Sequence, residues 1–259
     1  MIFLVSGLLF FWIIEGQIPF YPIQYKKSKL RHATVNFGFT VIHLIIHSFL
    51  AILIVLISDA CKATEFGLLY WTNANVGFSI LISFLVLDFF GGWLVHIIEH
   101  RIPWLWRFHV IHHSDNKVDV TTGLRHHPVE SVVRGVFFLI AVAVSGAPMY
   151  AVMIFQTVLI IFTAFTHANI RLPKWLDHAL SFIFVSPAMH KVHHHWKQPF
   201  TDSNYGAILS IWDRALGTFQ KLDADKIKYG LDRYYPNEKD EDFVELMRQP
   251  FYSQKTRNV

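Results

Sequence analysis

The chain is short of cysteine and of charge. It has one cysteine, Cys61, in 259 residues, which excludes an internal disulfide and a metal site built from several thiolates. Charged residues make up 16% of the chain, well below the roughly 25% of a soluble domain. Repeats, low-complexity runs and soluble linkers are also lacking. The sequence therefore predicts a single domain over residues 1–259, embedded in a membrane.

Apolar residues take the place of the missing charge. They make up 53% of the sequence, and the mean hydropathy is positive. The net charge is +4 with histidine neutral, and the basic residues lie in loops beside apolar stretches. This placement is typical of an anionic membrane surface and not of a nucleic-acid patch, so we expect no nucleic-acid partner.

Apolar stretches of membrane-spanning length predict the fold. Spans are expected over about residues 2–20, 35–58 and 76–98, each near the roughly 20 residues that a bilayer core requires. Residues 131–166 are apolar with a break at Gly146 and Pro148, which predicts two thin crossings or a re-entrant pair. The predicted fold class is an all-α integral membrane protein with four to five transmembrane helices and a helical cap on the cytoplasmic side.

The basic run over residues 26–31 sets the expected orientation. By the positive-inside rule this run is cytoplasmic, which places the N-terminus outside. Residues 1–20 lack the basic region and the small-residue cleavage site of a signal peptide, so the first span is expected to be retained. The histidine-rich segments and the C-terminus then lie on the cytoplasmic side of a multi-pass protein.

Histidines at helical spacing dominate the middle and the end of the chain. Residues 96–113, HIIEHRIPWLWRFHVIHH, hold five of them. His96 and His100 are four apart, so one helix face presents both imidazoles. The pairs His109/His113 and His190/His194 repeat the spacing, with His112 and His193 beside them. Imidazole suits Fe, Zn, Cu and Ni, and eight such groups exceed the coordination number of one ion. Two metal ions are therefore expected.

A further H-x3-H pair, His43 and His47, lies within the second predicted span. Ionisable groups inside a span are functional candidates. No second histidine box follows this pair, however, so we interpret it as polar contacts between helices and exclude it from the site. Asp88, eight residues before His96, is predicted either to orient that ligand or to line a wet interior.

The histidine boxes and their flanks resemble the fatty acid hydroxylase/sterol desaturase superfamily of membrane di-iron enzymes over about residues 80–220. The segments that carry the resemblance are WLWRFHVIHHS (104–114), TTGLRHHPVE (121–130), MHKVHH (189–194), TDSNYG (201–206) and WDR (212–214). In the second segment, the family pattern R-x-H-P-x-E selects the second histidine. The ligand set that the resemblance implies is His96, His100, His109, His112, His113, His127, His167, His190, His193 and His194. Glu130 either orients a ligand or stabilises the helix that follows.

The resemblance implies an activity as well as a site. Two iron ions, for which zinc could substitute, would use O2 and external electrons to hydroxylate or desaturate a fatty acyl, alkyl or sterol chain. Because no flavin or haem motif is visible, the electrons are expected from a ferredoxin- or cytochrome b5-like protein. Residues 221–259 are expected to form a polar tail with a surface helix.

Two other functions remain open at this point. The pentad from His96 to His100 also reads H-x-x-E-H, a zinc protease signature in which Glu99 would be the general base. On a helix, however, Glu99 points about 100° away from His100. The second alternative is a metal-binding or metal-transport protein without catalysis, which would favour ionisable residues strung along the spans.

Overall fold

A computed structural model describes residues 2–25, 28–72, 75–231 and 241–252. The predicted all-α fold is confirmed, since these ranges contain helices, turns and isolated bridges but no β-strand. The helices are α1 (Ile2–Gln17), α2 (Lys29–Thr64), α3 (Val76–Asp88), α4 (Val95–Arg101), α5 (Pro103–His113), α6 (Pro128–Ser145), α7 (Met149–His167), α8 (Lys174–Leu180), α9 (Pro187–His193), α10 (Ile211–Ala215) and α11 (Phe243–Arg248).

Four helical stretches in the described ranges are long and apolar enough to cross a membrane: Lys29–Trp71, Val76–Arg101, Pro128–Ser145 and Met149–His167. The α6–α7 pair has 18 and 19 residues, about 27 to 29 Å at 1.5 Å per residue, which matches a hydrocarbon core about 30 Å thick. Gly146 ends α6 in the left-handed conformation at φ 69°, and Pro148 precedes α7. The chain is therefore a multi-pass membrane protein, and α1, which is shorter, packs against α7.

Helix α2 is longer than the predicted span of residues 35–58. Its 36 residues begin after Ser28, whose side chain accepts a hydrogen bond from the Arg31 backbone. That length is about 54 Å, well beyond one hydrocarbon core. His43 lies level with the first turn of α6, near one end of that candidate crossing and not at its middle. It hydrogen-bonds Ser131 at 2.8 Å, one turn into α6, and this bond is the polar interhelical contact expected from the sequence.

Helices α3 and α4 are joined by one π-helical segment, Phe89–Leu94. Two glycines permit close packing there: a Cβ on Gly91 would lie 3.0 Å from the Phe138 ring, and a Cβ on Gly92 would lie 2.9 Å from Ala207. A π-turn inserts one residue per turn relative to an α-helix. It therefore changes which face of α4 carries the residues that follow.

The segment between α5 and α6 folds over the first turns of α2. His32 contacts Asp115 at 3.0 Å through one ring nitrogen and Asp119 at 3.1 Å through the other. Tyr25 donates a hydrogen bond to the same Asp119 carboxylate at 2.8 Å. All three acidic and basic groups are buried, so this polar cluster fastens the cap to the start of α2.

The C-terminal segment includes the predicted surface helix, α11, but this helix packs inward. The Phe243 ring lies 4.8 Å from Phe39 of α2, and Leu246 is buried in the same cluster. Glu241 accepts a hydrogen bond from Lys117 at 2.6 Å. Residues 26–27 of the predicted basic run and residues 232–240 and 253–259 of the predicted tail lie outside the described residues.

Candidate metal centre

Two buried groups of histidines lie side by side at the cap end of the helices. Within each group, one ligand atom from every residue lies within 4.8 Å of all the others. We call them group A and group B. Group A contains His96, His100, His109, His113 and His193, and group B contains His112, His167, His190 and His194.

Helices α5 and α9 contribute to both groups because each carries two adjacent histidines. Successive residues on a helix point about 100° apart. His113 therefore belongs to group A while His112 belongs to group B, and His193 and His194 divide in the same way. The two rings His113 and His194 stack at 4.8 Å between centroids, so the groups adjoin.

The Nε2 atoms within each group face one another at short range. In group A, His109 Nε2 lies 3.2 Å from His96 Nε2 and 3.1 Å from His113 Nε2. In group B, His190 Nε2 lies 2.9 Å from the Nε2 of His167 and 3.2 Å from that of His194. Two ligands at about 2.1 Å from one ion, at right angles, are about 3.0 Å apart. The spacing fits lone pairs that converge on a metal ion.

In three members of group A, the opposite ring nitrogen contacts an oxygen acceptor. His96 Nδ1 donates to the Tyr205 carbonyl at 2.8 Å, and His193 Nδ1 donates to the Ser203 carbonyl at 2.7 Å. His100 Nδ1 lies 3.1 Å from Asp202. Donation from Nδ1 fixes the tautomer that leaves Nε2 free to bind a metal.

Group B has one acceptor of the same kind, since His167 Nδ1 donates to the Thr163 carbonyl at 2.8 Å. Lys191 supports the end of that helix from beneath. Its ammonium group donates to the carbonyls of Ala168 at 2.7 Å and of His167 at 3.2 Å. A cation at a helix C-terminus is favourable, and this one holds the α7 terminus that carries a ligand.

The histidines of α5 and α9 are neutral. Burial, with the neighbouring imidazoles, lowers the pKa values of His109, His112, His113 and His190 well below the usual range, and burial lowers the pKa of His193 to about 4. Metal binding requires an unprotonated imidazole. Group A and group B can therefore each bind one metal ion through imidazole ligands.

The structure does not bring His127 to either group. Its Nδ1 accepts a hydrogen bond from the Val129 backbone at 3.2 Å, so the ring caps the N-terminus of α6. The ring packs against Phe108 at 5.0 Å between centroids. Of the ten predicted ligands, nine are members of groups A and B. His127 has a structural position instead.

The neighbouring His126, which the family pattern passes over, lies beside the metal groups. Its ring stacks on His112 at 4.7 Å with 13° between the planes, and its Nδ1 donates to Glu130 Oε1 at 2.7 Å. The same carboxylate oxygen accepts from His109 Nδ1 at 2.8 Å. Glu130 thus contacts a ligand of group A directly, as one of its two predicted roles requires.

Asp88 does not contact His96, contrary to one of its two predicted roles. Its carboxylate accepts hydrogen bonds from the Ile208 and Leu209 backbones at 3.2 Å and from the Trp212 indole at 2.9 Å. The π-turn between Asp88 and His96 changes the helical phase on which the prediction depended. Asp88 instead anchors the segment whose Tyr205 carbonyl accepts from His96.

Glu99 lies behind the ligands in an ion pair. Its Oε2 accepts from Arg134 at 2.6 Å and is 3.8 Å from His109 Nδ1. Arg134 also donates to Glu130 at 3.1 Å. A carboxylate engaged by a guanidinium on the Nδ1 side of a ligand is poorly placed as the general base of a protease. Neither Arg134 nor this pairing was predicted, because the residues come from separate helices.

Comparisons with known proteins identify the family to which this sequence is similar. A model of the family described as fatty acid hydroxylase matches residues 80–218. Ornithine lipid hydroxylase OlsE of Rhizobium tropici is 29% identical over 151 residues, covering 58% of this chain and 44% of that protein. Alkylglycerol monooxygenase of Danio rerio is 33% identical over 150 residues, covering 58% of this chain and 32% of that protein.

A third relative has a different lipid in its name. Cholesterol 25-hydroxylase of Homo sapiens is 27% identical over 144 residues, covering 54% of this chain and 51% of that protein. The match thus spans about half or less of the length of each of these three relatives. No solved structure matches the chain significantly. The family match covers more than half of the 259 residues and includes all nine members of groups A and B. The chain therefore belongs to the fatty acid hydroxylase family.

Proposed function

We propose that the protein is a membrane-bound, non-haem di-iron lipid hydroxylase that uses O2 and external electrons. The observation that carries the proposal is the pair of adjoining, buried, all-histidine groups at one end of the apolar helices. Iron ions bound there would supply reductive O2 activation for attack on an unactivated C–H bond. On six-coordinate ions, the five ligands of group A would leave one position open and the four ligands of group B would leave two. Zinc could occupy the same imidazole ligands.

The protein's own residues hold and orient the ligands. The Nδ1–H groups of the ligands donate hydrogen bonds to the carbonyl oxygens of Tyr205 and Ser203 and to the carboxylates of Asp202 and Glu130, which keeps the Nε2 lone pairs directed inward. Burial of both groups excludes bulk water from the reacting centre. Hydrogen-bond acceptors of this kind raise the basicity of the ligand, and their loss typically lowers metal affinity or activity by roughly 10–100-fold.

The proposed substrate is a lipid with a long hydrocarbon chain, and the proposed reaction is hydroxylation. The three relatives are named for hydroxylation or monooxygenation, of an ornithine lipid, of alkylglycerols and of cholesterol. Those names favour hydroxylation over desaturation, which the histidine boxes alone leave open. In this proposal, a lipid chain rises from the bilayer between the four apolar helices to reach the metal groups at their end.

The proposed electron donor is an acidic protein of the ferredoxin or cytochrome b5 class, docking on the cytoplasmic side. Group A approaches the surface at Asp202, whose side chain is 19% exposed and contacts His100. Arg101, Arg107 and Lys197 are exposed and give the surrounding segments a positive charge. Complementary charge steers encounter between such partners. The basic residues Lys29 and Arg31 at the start of α2 support the proposed cytoplasmic placement of this face.

The test is lipid oxidation in a defined bilayer. Iron-loaded protein in nanodiscs is supplied with a reductant and ¹⁸O2, and lipids are analysed by mass spectrometry. We expect lipids that gain one labelled oxygen atom. The double variant His193→Ala/His194→Ala, which removes one ligand from each group, should abolish the product. An unlabelled product, or a labelled product that persists in the double variant, would refute the proposal. Peptide cleavage lost in Glu99→Gln would instead favour the protease.

A further inference from the structure

Two segments outside the four apolar helices run alongside them. Residues 180–185 and 205–216, which we call the collar, follow α8 and α9 in the chain. Phe184 of the collar lies 5.6 Å from Phe162, and Trp212 lies 5.1 Å from Phe89, between ring centroids. Neither segment is apolar and helical over a spanning length.

The parts of the collar around Phe184 and Trp212 lie on the membrane side of the metal groups. Phe162 precedes His167 by five residues in α7, which is about 7 Å along the helix axis. Phe89 precedes His96 by seven residues, most of them in the π-helical segment. Both helices run toward the metal groups at their C-terminal ends. Residues that contact Phe162 and Phe89 are therefore displaced from the metal groups toward the bilayer.

Buried carboxylates satisfy the backbone donors of the irregular part of the collar. Asp88 accepts from the Ile208 and Leu209 backbones at 3.2 Å. Asp213 accepts from the backbones of Tyr205 and Gly206 at 2.8 Å. Both acidic side chains are fully buried. Irregular backbone occurs at membrane depth only where protein groups satisfy its hydrogen bonds.

Further hydrogen bonds join the two segments of the collar. The Val185 backbone donates to the Ile208 carbonyl at 2.8 Å, and the Ser210 backbone donates to the Ile183 carbonyl at 2.9 Å. Arg214 donates to the Ser181 carbonyl at 2.7 Å, and its guanidinium lies 3.8 Å from the Phe219 ring centroid. The guanidinium of Arg214 thus donates its hydrogen bonds to Ser181 within the collar.

The outward side chains of the collar are large and apolar. Phe182, Ile183 and Leu216 are 53%, 54% and 50% exposed, and Trp175 of the adjoining α8 is 72% exposed. Arg214 lies 4.9 Å from the Phe182 ring and joins the Phe182 and Leu216 sides of the collar. Exposed apolar area beside membrane-spanning helices fits acyl chains and not water.

We propose that the collar enters the hydrocarbon region of the leaflet nearest the metal groups, with lipid acyl chains covering Phe182, Ile183 and Leu216. Asp88 is the residue that permits this insertion, because it satisfies the backbone of residues 208 and 209. The bilayer surface then lies above the collar, and the metal groups stand just outside the hydrocarbon. The inference concerns membrane placement and does not depend on the catalytic proposal.

Spin-label accessibility tests the inference on the full chain in nanodiscs. The single Cys61 is replaced by alanine, and one cysteine is introduced at Phe182 or at Leu216 and labelled. Phe49, 68% exposed on α2, serves as the lipid-facing control, and the exposed Asp225 of the cap serves as the aqueous control. Collisions of the label with O2, which concentrates in hydrocarbon, are compared with collisions with a polar nickel chelate.

We expect labels at both collar positions to show the Phe49 pattern, with frequent O2 and rare chelate collisions. A pattern like that of Asp225 at both positions would overturn the proposal. Protection from both reagents, with spin–spin broadening that disappears on dilution with unlabelled protein, would assign the face to a second copy and also overturn it. Both native side chains are at least half exposed, and metal content verifies that each labelled variant is folded.

Discussion

At the scale of single residues, the acceptors behind the histidines determine which ring nitrogen binds metal. Glu130 Oε1 is the most heavily used of them, since it accepts from His109 at 2.8 Å, from His126 at 2.7 Å and from Arg134 at 3.1 Å. All three contacts converge on one oxygen of a buried carboxylate. Among the members of groups A and B in the described residues, this oxygen hydrogen-bonds His109 of group A directly, and it reaches group B only through the His126 ring that stacks on His112.

Replacing Glu130 by glutamine should weaken metal binding at group A by roughly 10–100-fold, the usual effect of such partners. The charge is lost while the side-chain shape is kept, so the fold should persist. Competition with a graded chelator measures the affinity. Group B, which Glu130 does not contact in the described residues, is the internal control and should keep its ion. Equal loss from both groups would mean that the effect is on folding.

The cluster around Asp115 predicts a pH dependence of stability. Burial opposes ionisation of Asp115, but His32 and Arg125 more than compensate and hold the pKa of that carboxyl well below its usual range. A depressed folded-state pKa contributes stability above the unfolded pKa of about 3.9, and that stability is lost only as pH falls through the folded value. The contribution should thus be complete at both pH 7 and pH 5.

Asp115→Asn should therefore lower the melting temperature by a similar amount at both pH values, through a cost of roughly 3–5 kcal/mol for breaking a buried pair. Asp223→Asn is the control: its ion pair with Lys226 has side chains that are 71% and 63% exposed, and exposed pairs contribute little. Thermal unfolding in one mild detergent compares the variants. A penalty that disappears at pH 5 would contradict the assigned ionisation.

At the scale of helices, the spacing of histidines along the chain predicted correctly which of them share one face of a helix. The four-residue intervals of His96/His100 and His109/His113 place each pair in the same group, as a straight α-helix requires. The eight-residue interval did not bring Asp88 to His96, because a π-turn lies between them. In the local sequence only the two glycines mark that turn. His127 was predicted as a ligand from a family pattern, and such a pattern does not show that the ring caps the N-terminus of α6 instead.

Gly92 gives a direct test of the π-turn. A Cβ there would lie 2.9 Å from Ala207 Cβ and 3.3 Å from Asp88 Oδ1. Gly92→Ala should therefore push the 204–209 segment and its Tyr205 carbonyl away from His96, at an overpacking cost of roughly 1–3 kcal/mol. We expect a lower melting temperature and reduced metal content.

Gly77→Ala is the matched control at the start of α3, where a Cβ would make only an ordinary contact of 3.5 Å with Asn75. Its stability should be unchanged or slightly raised, because alanine is the better helix former. If both variants keep their metal and melt alike, the close packing at Gly92 is not required for the site.

At the scale of the whole molecule, composition and apolar run length predicted the class and the multi-pass fold. They did not predict how far helices extend beyond the bilayer. Helix α2 begins six residues before the expected span because its first turns pack on the cap, where His32 and Asn36 find buried partners. The depth assigned to His43 changed accordingly, from mid-span to the level of the first turn of α6. Tertiary contacts of this kind are invisible in hydropathy.

The division of the histidines between two groups predicts the metal stoichiometry of the molecule. Groups A and B share no residue, and within each group one ligand atom from every residue lies within 4.8 Å of the others. We therefore expect two ions per chain in the wild-type protein. Removing His100 from group A or His190 from group B should remove about one ion and leave the other in place. Elemental analysis of protein in mild detergent, with iron and zinc counted together, measures the ratio.

The paired variant of His43 and His47 to phenylalanine is the matched control for those losses. The two rings stack at 3.9 Å and belong to neither group, although His43 approaches His126 at 6.4 Å. The variant would lose the hydrogen bond from His43 to Ser131. Interhelical hydrogen bonds in membranes average only about 0.6 kcal/mol, so we expect a modest fall in melting temperature with both ions retained. A folded control that loses an ion would add this pair to the metal centre. Loss of both ions from His100→Ala alone would instead show that the two groups bind metal as one cooperative unit, which their shared helices α5 and α9 make physically reasonable.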